Sequence, residues 1–217
     1  MGKPPTLTEE QIVDAALSVV QAEGLEALSM RRLSRELGRS AMAPYWYVAD
    51  KNELLDLVAR KLLSRVQLPP ADSGPWDERL RAVIKSIDYH VHRYPGIASI
   101  LLDRMSVTDQ RVLNGILEIL VSAGFKGAEN FQSYAMIHTY LFGRYQVLGQ
   151  FDVANFGEQV PDLDDTLASL LPYLPSLRGS DFFDWGVDVI IEGLRAKLAA
   201  KPASRRTTNA VNASRRG

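Results

Sequence analysis

Three histidines, no cysteine and a scatter of carboxylates are all that this chain offers to catalysis or metal binding. Without cysteine there is no thiolate nucleophile, no thiolate metal site and no disulfide. His90 and His92 make a poor metal pair: two residues apart on a helix they diverge by roughly 200°, and no carboxylate is forced to join them. No Gly-x-Ser-x-Gly or comparable nucleophile motif occurs. Neither a metal nor a cofactor is therefore expected, and an enzyme would require a titratable pair buried together in one pocket. The more telling cluster is cationic. Arg31, Arg32, Arg35 and Arg39 fall within nine residues opposed only by Glu36, a local field that favours phosphate, although the ordinary meaning of such a face is solvation.

The elements that must position these arginines read as helices throughout. No alternating strand pattern of any length appears, helical periods recur, and the fold class expected is all-α. Thr8-Glu9-Glu10-Gln11 fits a capping box ahead of the stripe Ile12, Ala16, Val19, Val20, and Gly24 ends that helix. Ser29 caps a short second helix with Met30, Leu33 and Leu37 inward, Gly38 as its left-handed stop, and the arginines on the opposite side. A third helix is expected from Ser40 through Tyr47, about two residues later, which is helix-turn-helix spacing. Asp50-Lys51-Asn52-Glu53 offers a second capping box for a fourth helix with Leu54, Leu55, Val58 and Leu62 inward. The run Gln67–Pro75, QLPPADSGP, then punctuates the chain. The expected division is a helix-turn-helix unit over 1–66, a helical effector-binding and dimerisation unit over 67–200, and a basic tail without apolar period over 201–217.

The segment Gly24–Val58, GLEALSMRRLSRELGRSAMAPYWYVADKNELLDLV, resembles the DNA-binding domain of the tetracycline-repressor family. A second stretch, Leu171–Leu194, is similar to the last helix of the subgroup whose C-terminal domain is like that of the tetracycline repressor itself. The resemblance implies that Ser40, Ala41, Met42, Ala43, Tyr45 and Tyr47 face DNA, while Ser29, Arg31 and Lys51 hold phosphate. Position 44, usually leucine in the family, is proline here, which shifts where the third helix begins. No Arg, Asn or Gln lies between Ser40 and Tyr47, so apolar contact and DNA shape are expected to carry specificity. Trp46 is expected as the aromatic keystone of the small core.

In the second unit a helix is expected from Trp76 to Tyr94, burying Leu80, Val83, Ile84, Ile87 and Val91. The helix over 128–149 has two apolar sides. Phe131, Tyr134, His138 and Phe142 lie on one, and Met136, Tyr140, Gly143 and Val147 nearly opposite. The last helix, from Asp181, repeats this, with Phe182, Trp185 and Val189 on one side and Phe183, Val187, Ile191 and Leu194 on the other. Such helices must be covered twice. A twofold dimer built on Met136, Tyr140, Gly143, Val147, Phe183, Val187, Ile191 and Leu194 is the economical solution, and the family resemblance implies it. The remaining stripe, with His90, Tyr94 and Met105, is expected to line a pocket for a small, largely apolar or aromatic effector; the bland alternative is plain core.

The function expected is a cytoplasmic regulator binding a pseudo-palindromic DNA operator, a repressor released by its effector. The alternative is a helix-turn-helix regulator whose second unit only dimerises or docks a protein. No stretch approaches the roughly 18 apolar residues of a membrane span, and the first residues lack the apolar core of a signal peptide. The tail arginines Arg205, Arg206, Arg215 and Arg216 would either add nonspecific DNA affinity or remain solvated.

Overall fold

The computed structural model describes residues 7–103, 110–150, 156, 164–177 and 179–200, and no strand occurs among them. The helices are α1 (Glu9–Glu23), α2 (Met30–Glu36), α3 (Lys51–Ser64), α4 (Trp76–Val91), α5 (Ile97–Asp103), α6 (Gln110–Ala123), α7 (Ala128–Gln150), α8 (Asp165–Leu170) and α9 (Ser180–Ala199). No described helix is long and apolar enough to cross a membrane. Met105, the side chain of Val147 and the tail 201–217 lie outside the described residues.

The local signals act as their chemistry dictates. Thr8 Oγ1 accepts the Gln11 N–H at 3.2 Å, and the Gln11 side chain accepts the Thr8 N–H at 3.0 Å, so two orphan donors of α1 are satisfied reciprocally. Ser29 Oγ accepts the Arg32 N–H and caps α2. Asp50 takes the Asn52 and Glu53 N–H groups, while Glu53 reaches back to the Ala49 N–H.

Between α2 and α3 the expected helix over 40–47 is not formed. Only Pro44–Trp46 is helical, and it is a 3₁₀ turn. The Ala43, Tyr45 and Trp46 N–H groups each bond three residues back, to Ser40, Met42 and Ala43. Pro44 has no N–H with which to bond the Ser40 carbonyl, so an α-helical ladder cannot start through it.

The first unit packs α1, α2 and α3 around Ile12, Ala16, Leu33, Leu54, Val58 and Leu62, all fully buried. At about 1.5–3 kcal/mol per buried Leu, Ile or Val side chain, this small core suffices for three short helices. In the second unit α4 ends at Val91, three residues before the expected Tyr94. α4 is flanked by α6 and α9, and α5 and α6 pack on α7.

The last helix is turned opposite to the expected sense. Phe183, Val187, Ile191 and Leu194 are buried within the protomer, so they are core and not an interface. Ion pairs from α4 to α9, Asp77–Arg195, Arg81–Asp188 and Lys85–Asp184, flank that seam. The Tyr140 hydroxyl donates to the Phe182 and Phe183 carbonyls at 2.9 and 3.2 Å. A Cβ at Gly186 would collide with that hydroxyl, so Tyr140 also works inside the protomer.

The units touch where the Leu25 N–H donates to the Pro95 carbonyl at 3.1 Å. Beside it Gly96 has φ +85°, and a Cβ there would stand 2.7 Å from Leu25 Cβ. Gly96→Ala combines left-handed strain with a clash and is expected to cost about 2 kcal/mol. Thermal unfolding should show a melting temperature lower by roughly 4–8 °C for a chain of this size; an unchanged midpoint would mean that the contact is not kept in solution.

Candidate nucleic-acid interface and effector cavity

Two sites emerge, one on the surface of the first unit and one inside the second. On the surface, Pro44 and Val48 are buried and Tyr47 is half-buried, while Ser40, Ala41, Met42, Tyr45 and Trp46 are exposed and Ala43 is half-buried. Pro44 and Val48, four residues apart, plug the turn into the core, and Trp46 is 85% exposed. The keystone role expected for Trp46 therefore falls to Pro44 and Val48. Their spacing was the available signal; the size of the indole masked it.

The arginines divide by their partners. Arg32 is clamped by Glu23 at 2.6 Å and Glu36 at 2.9 Å, so its charge is neutralised within the protein. Those carboxylates also raise its pKa, Glu23 foremost. Glu23, which lies outside the arginine cluster in sequence, is the opposing charge that spacing could not reveal. Arg31 and Arg35 are exposed on the outer side of α2, as expected. The Ser29 hydroxyl, although used as an acceptor at the cap, keeps a proton to donate, and Lys51 begins α3 on the same side of the 3₁₀ turn.

The internal site lies among α3, α4, α6 and α7. Leu63, Ile87, Val112, Ile116, Tyr134, Ile137, His138, Leu141 and Phe142 enclose a void of only about 10 Å³, roughly one water-sized sphere. Of the expected pocket residues, Tyr134, His138 and Phe142 meet there. Phe131 does not: it is 63% exposed. The buried arc of α7 is centred on Asn130, Tyr134, Ile137 and Leu141, and at 100° per residue Phe131 lies about 80° from that centre. His138 and Phe142 lie as far off it but are covered by neighbouring helices. His90 and Tyr94 are also absent from the lining, since α4 presents Ile87 to the cavity. The His90 ring instead stacks edge-on to Tyr89 with centroids 5.2 Å apart, and Tyr94 packs half-buried at the edge of the core. Leu63, from the first unit, was not anticipated, because periodicity within α3 assigned it no special role.

His138 is the polar group of this cavity. It is 4% exposed, stacked edge-on to Phe142 with centroids 4.8 Å apart and tilted against Tyr134 at 5.8 Å. Its Nε2 is buried without a hydrogen-bond partner among the described residues. Burial holds its pKa below the ordinary 6.5, against a smaller opposing effect from a hydrogen bond to the Leu101 backbone. Nε2 thus stands unpartnered among the described residues, facing apolar walls. A third polar group, buried Arg144, pairs with Asp88, which also accepts the Tyr145 hydroxyl at 2.6 Å. Desolvation, then the carboxylate, pushes the Tyr145 pKa up. This network bolts α4 to α7. Among the described residues no group of three or more His, Asp or Glu side chains is placed to hold a metal ion.

The exposed sides of α7 and α9 are apolar in their middles. Met136 and Gly143 on α7 are accessible, with no atom within 4 Å of a Cβ built at Gly143, and on α9 Trp185 is 64% and Val189 47% exposed.

Two family models match this chain: bacterial regulatory proteins of the tetR family over residues 12–58, and the tetracyclin repressor-like C-terminal domain over residues 68–198. The transcriptional repressor DrrR1 of Streptomyces coeruleorubidus is 34% identical over 92% of this chain and 82% of its own. The class D tetracycline repressor protein of Escherichia coli is 27% identical over 89% and 92%. Among solved structures, apo ActR from Streptomyces coelicolor superposes with a TM-score of 0.77 at 27% identity, covering 91% of this chain and 99% of that one. ActR has also been solved with (S)-DNPA, at a TM-score of 0.75, 27% identity and coverage of 89% and 99%.

Two outcomes are expected. Trp46→Ala should move the melting temperature by less than about 2 °C, as an exposed position does, whereas a drop like that of a core truncation would return Trp46 to the interior. For His138 and His90, both with pKa values lowered from 6.5, the unfolded chain binds more protons below that value. Stability present above pH about 6.5 is therefore lost as pH falls through the folded-state values. Urea unfolding at pH about 7.5 and about 5.5 should give the lower free energy at the lower pH, with a smaller difference in His138→Gln; an undiminished difference would mean that His138 is readily protonated in place.

Proposed function

The chain belongs to the tetracycline-repressor family of bacterial transcriptional regulators, and from that membership we propose that it is a sequence-specific repressor released from its operator when a small molecule enters the cavity. One observation carries this reading: the cavity wall includes Leu63 of α3, the helix that also closes the DNA-binding core. A ligand that needs more room than the void provides must displace that helix. It shifts the population away from the operator by no more than its preference for the displaced state.

On the DNA side, the 3₁₀ turn would offer Ser40, Ala41, Met42, Ala43 and Tyr45 to base edges and thymine methyls, with Trp46 added to them. Ser29, Arg31, Tyr47 and Lys51 would take phosphates. The units 1–66 and 67–200 divide reading from sensing. The protein would work in the cytoplasm as a twofold dimer through Met136 and Gly143 of α7 with Trp185 and Val189 of α9. Burying a Trp and a Val that each stand about half exposed or more is the kind of gain that closes such a bundle.

The effector would be uncharged and largely apolar or aromatic, carrying a hydroxyl or N–H that donates to His138 Nε2. ActR, which has been solved with (S)-DNPA and with actinorhodin, makes those two compounds sensible first trials. The tightness of the void favours a second reading, a regulator whose C-terminal unit only dimerises or docks a protein. A saturable thermal shift with a neutral aromatic, lost in His138→Phe, would dispose of it.

Fluorescence anisotropy with duplexes flanking the gene should reveal one segment preferred over scrambled competitor by about 10³-fold or more; no preference in any duplex would count against a local operator. Arg31→Ala and Lys51→Ala should each weaken binding and lower the salt slope by about one. Arg32→Ala, already neutralised by Glu23 and Glu36, should leave that slope unchanged. Trp185→Arg should halve the mass seen by light scattering and abolish operator preference; a mass equal to that of the wild type would place the dimer elsewhere.

A further inference from the structure

The last carbonyls of α3 are met first by their own chain, with Ser64 Oγ donating to the Lys61 carbonyl at 2.8 Å and the Arg65 and Val66 N–H groups to the Leu62 and Leu63 carbonyls at 3.3 and 3.0 Å. Arg65 after it is right-handed, with φ −82° and ψ −11°, so no left-handed residue folds the chain back over the last carbonyls. Side chains of the second unit add a further set of bonds. The guanidinium of Arg111, on α6, donates through Nη2 to the Leu63 and Ser64 carbonyls at 2.9 and 3.2 Å, and through Nη1 to the Val66 carbonyl at 2.9 Å. From α4, Ser86 Oγ accepts the Gln67 N–H at 3.0 Å. Residues 63, 64, 66 and 67 are thus held across the boundary, with the cation placed where the helix dipole is negative.

The same turn is a wall of the cavity. Leu63 lines it, and so does Val112, the residue after Arg111. Whatever parts Leu63 from Val112 strains the three Arg111 bonds first, because they join the backbones bearing those two side chains. The geometry points to Arg111 as the coupling residue of the switch: it grips the end of α3, and a filled cavity acts on the DNA-binding unit by shifting or breaking that grip. Arg111 lines neither the cavity nor the DNA-facing surface, so it is a positioning residue. The inference rests on reading the cavity as the effector site. It adds the path by which occupancy reaches α3.

The test uses the full chain and a duplex selected by the wild-type protein from a random-sequence library. Leu141→Phe, on the far wall, overfills the void and stands in for an occupant. With Arg111 present it should weaken duplex binding by about tenfold or more. In Arg111→Gln, which keeps a donor but loses the charged fork, the same overfilling should cost less than about threefold, a non-additivity that a mere cap would not produce. Circular dichroism and mass establish that each variant is folded and dimeric. If Arg111→Gln does not fold, Arg111→Lys serves in its place, with an intermediate response expected. An equal loss in both backgrounds would overturn the coupling role of Arg111 and leave the cavity reading standing. No loss in either background would overturn both, since the cavity would then have no hold on α3.

Discussion

The end of α3 is the constraint around which the two units are arranged. A helix leaves its last four carbonyls unpaired, and leaving a buried one unsatisfied costs about 1–3 kcal/mol. This helix meets that requirement partly with Ser64 and the following backbone N–H groups and partly with a guanidinium from another unit. Its sides are divided in the same way. Leu54, Val58 and Leu62 close the core with α1 and α2, while Leu63 faces the cavity. The helix that supports the reading turn and the helix that feels the cavity are one and the same.

A second constraint fixes what the protein shows to a partner. One side of α4 carries Asp77, Arg81, Lys85 and Asp88 at intervals of three or four residues, each with an opposite charge on α9 or α7. The more exposed pairs contribute about 0–1 kcal/mol each. Their larger effect is on register, because a rotated α9 would leave every one of them mismatched. Asp88–Arg144 is different. It is buried, the guanidinium lies 4.2 and 4.5 Å from the Tyr145 and Phe183 ring centroids, and losing either member would strand a charge. With α9 so oriented, Phe183 and Val187 go inward and Trp185 and Val189 outward.

Much of this was legible in the sequence and some of it was not, for physical reasons. Thr8, Ser29 and Asp50 announce helix starts because their chemistry is local, and the family likeness of Gly24–Val58 fixes the class of the first unit. Both apolar sides of α9 were visible, but which one faces outward depends on α4, whose charges are distant in sequence. The third helix was misjudged because its composition outweighed the missing N–H of Pro44. Trp46 was misjudged because a large aromatic was weighed by size and not by position. Tyr134, His138 and Phe142 were found by period. Leu63, Val112 and Ile116 were not, because a cavity wall drawn from four helices leaves no periodic trace in any one of them.

The shared helix end also limits how such a regulator can be recombined. Joining the first unit of one protein to the second unit of another at the Gln67–Pro75 turn looks natural by chain connectivity. It would nevertheless separate the Leu63, Ser64 and Val66 carbonyls from the Arg111 guanidinium that bonds them. A chimera that transplants the reading head would have to carry the matching cation of α6 with it. The transferable module here is therefore a reading head together with its clasp, two pieces of chain that lie more than forty residues apart.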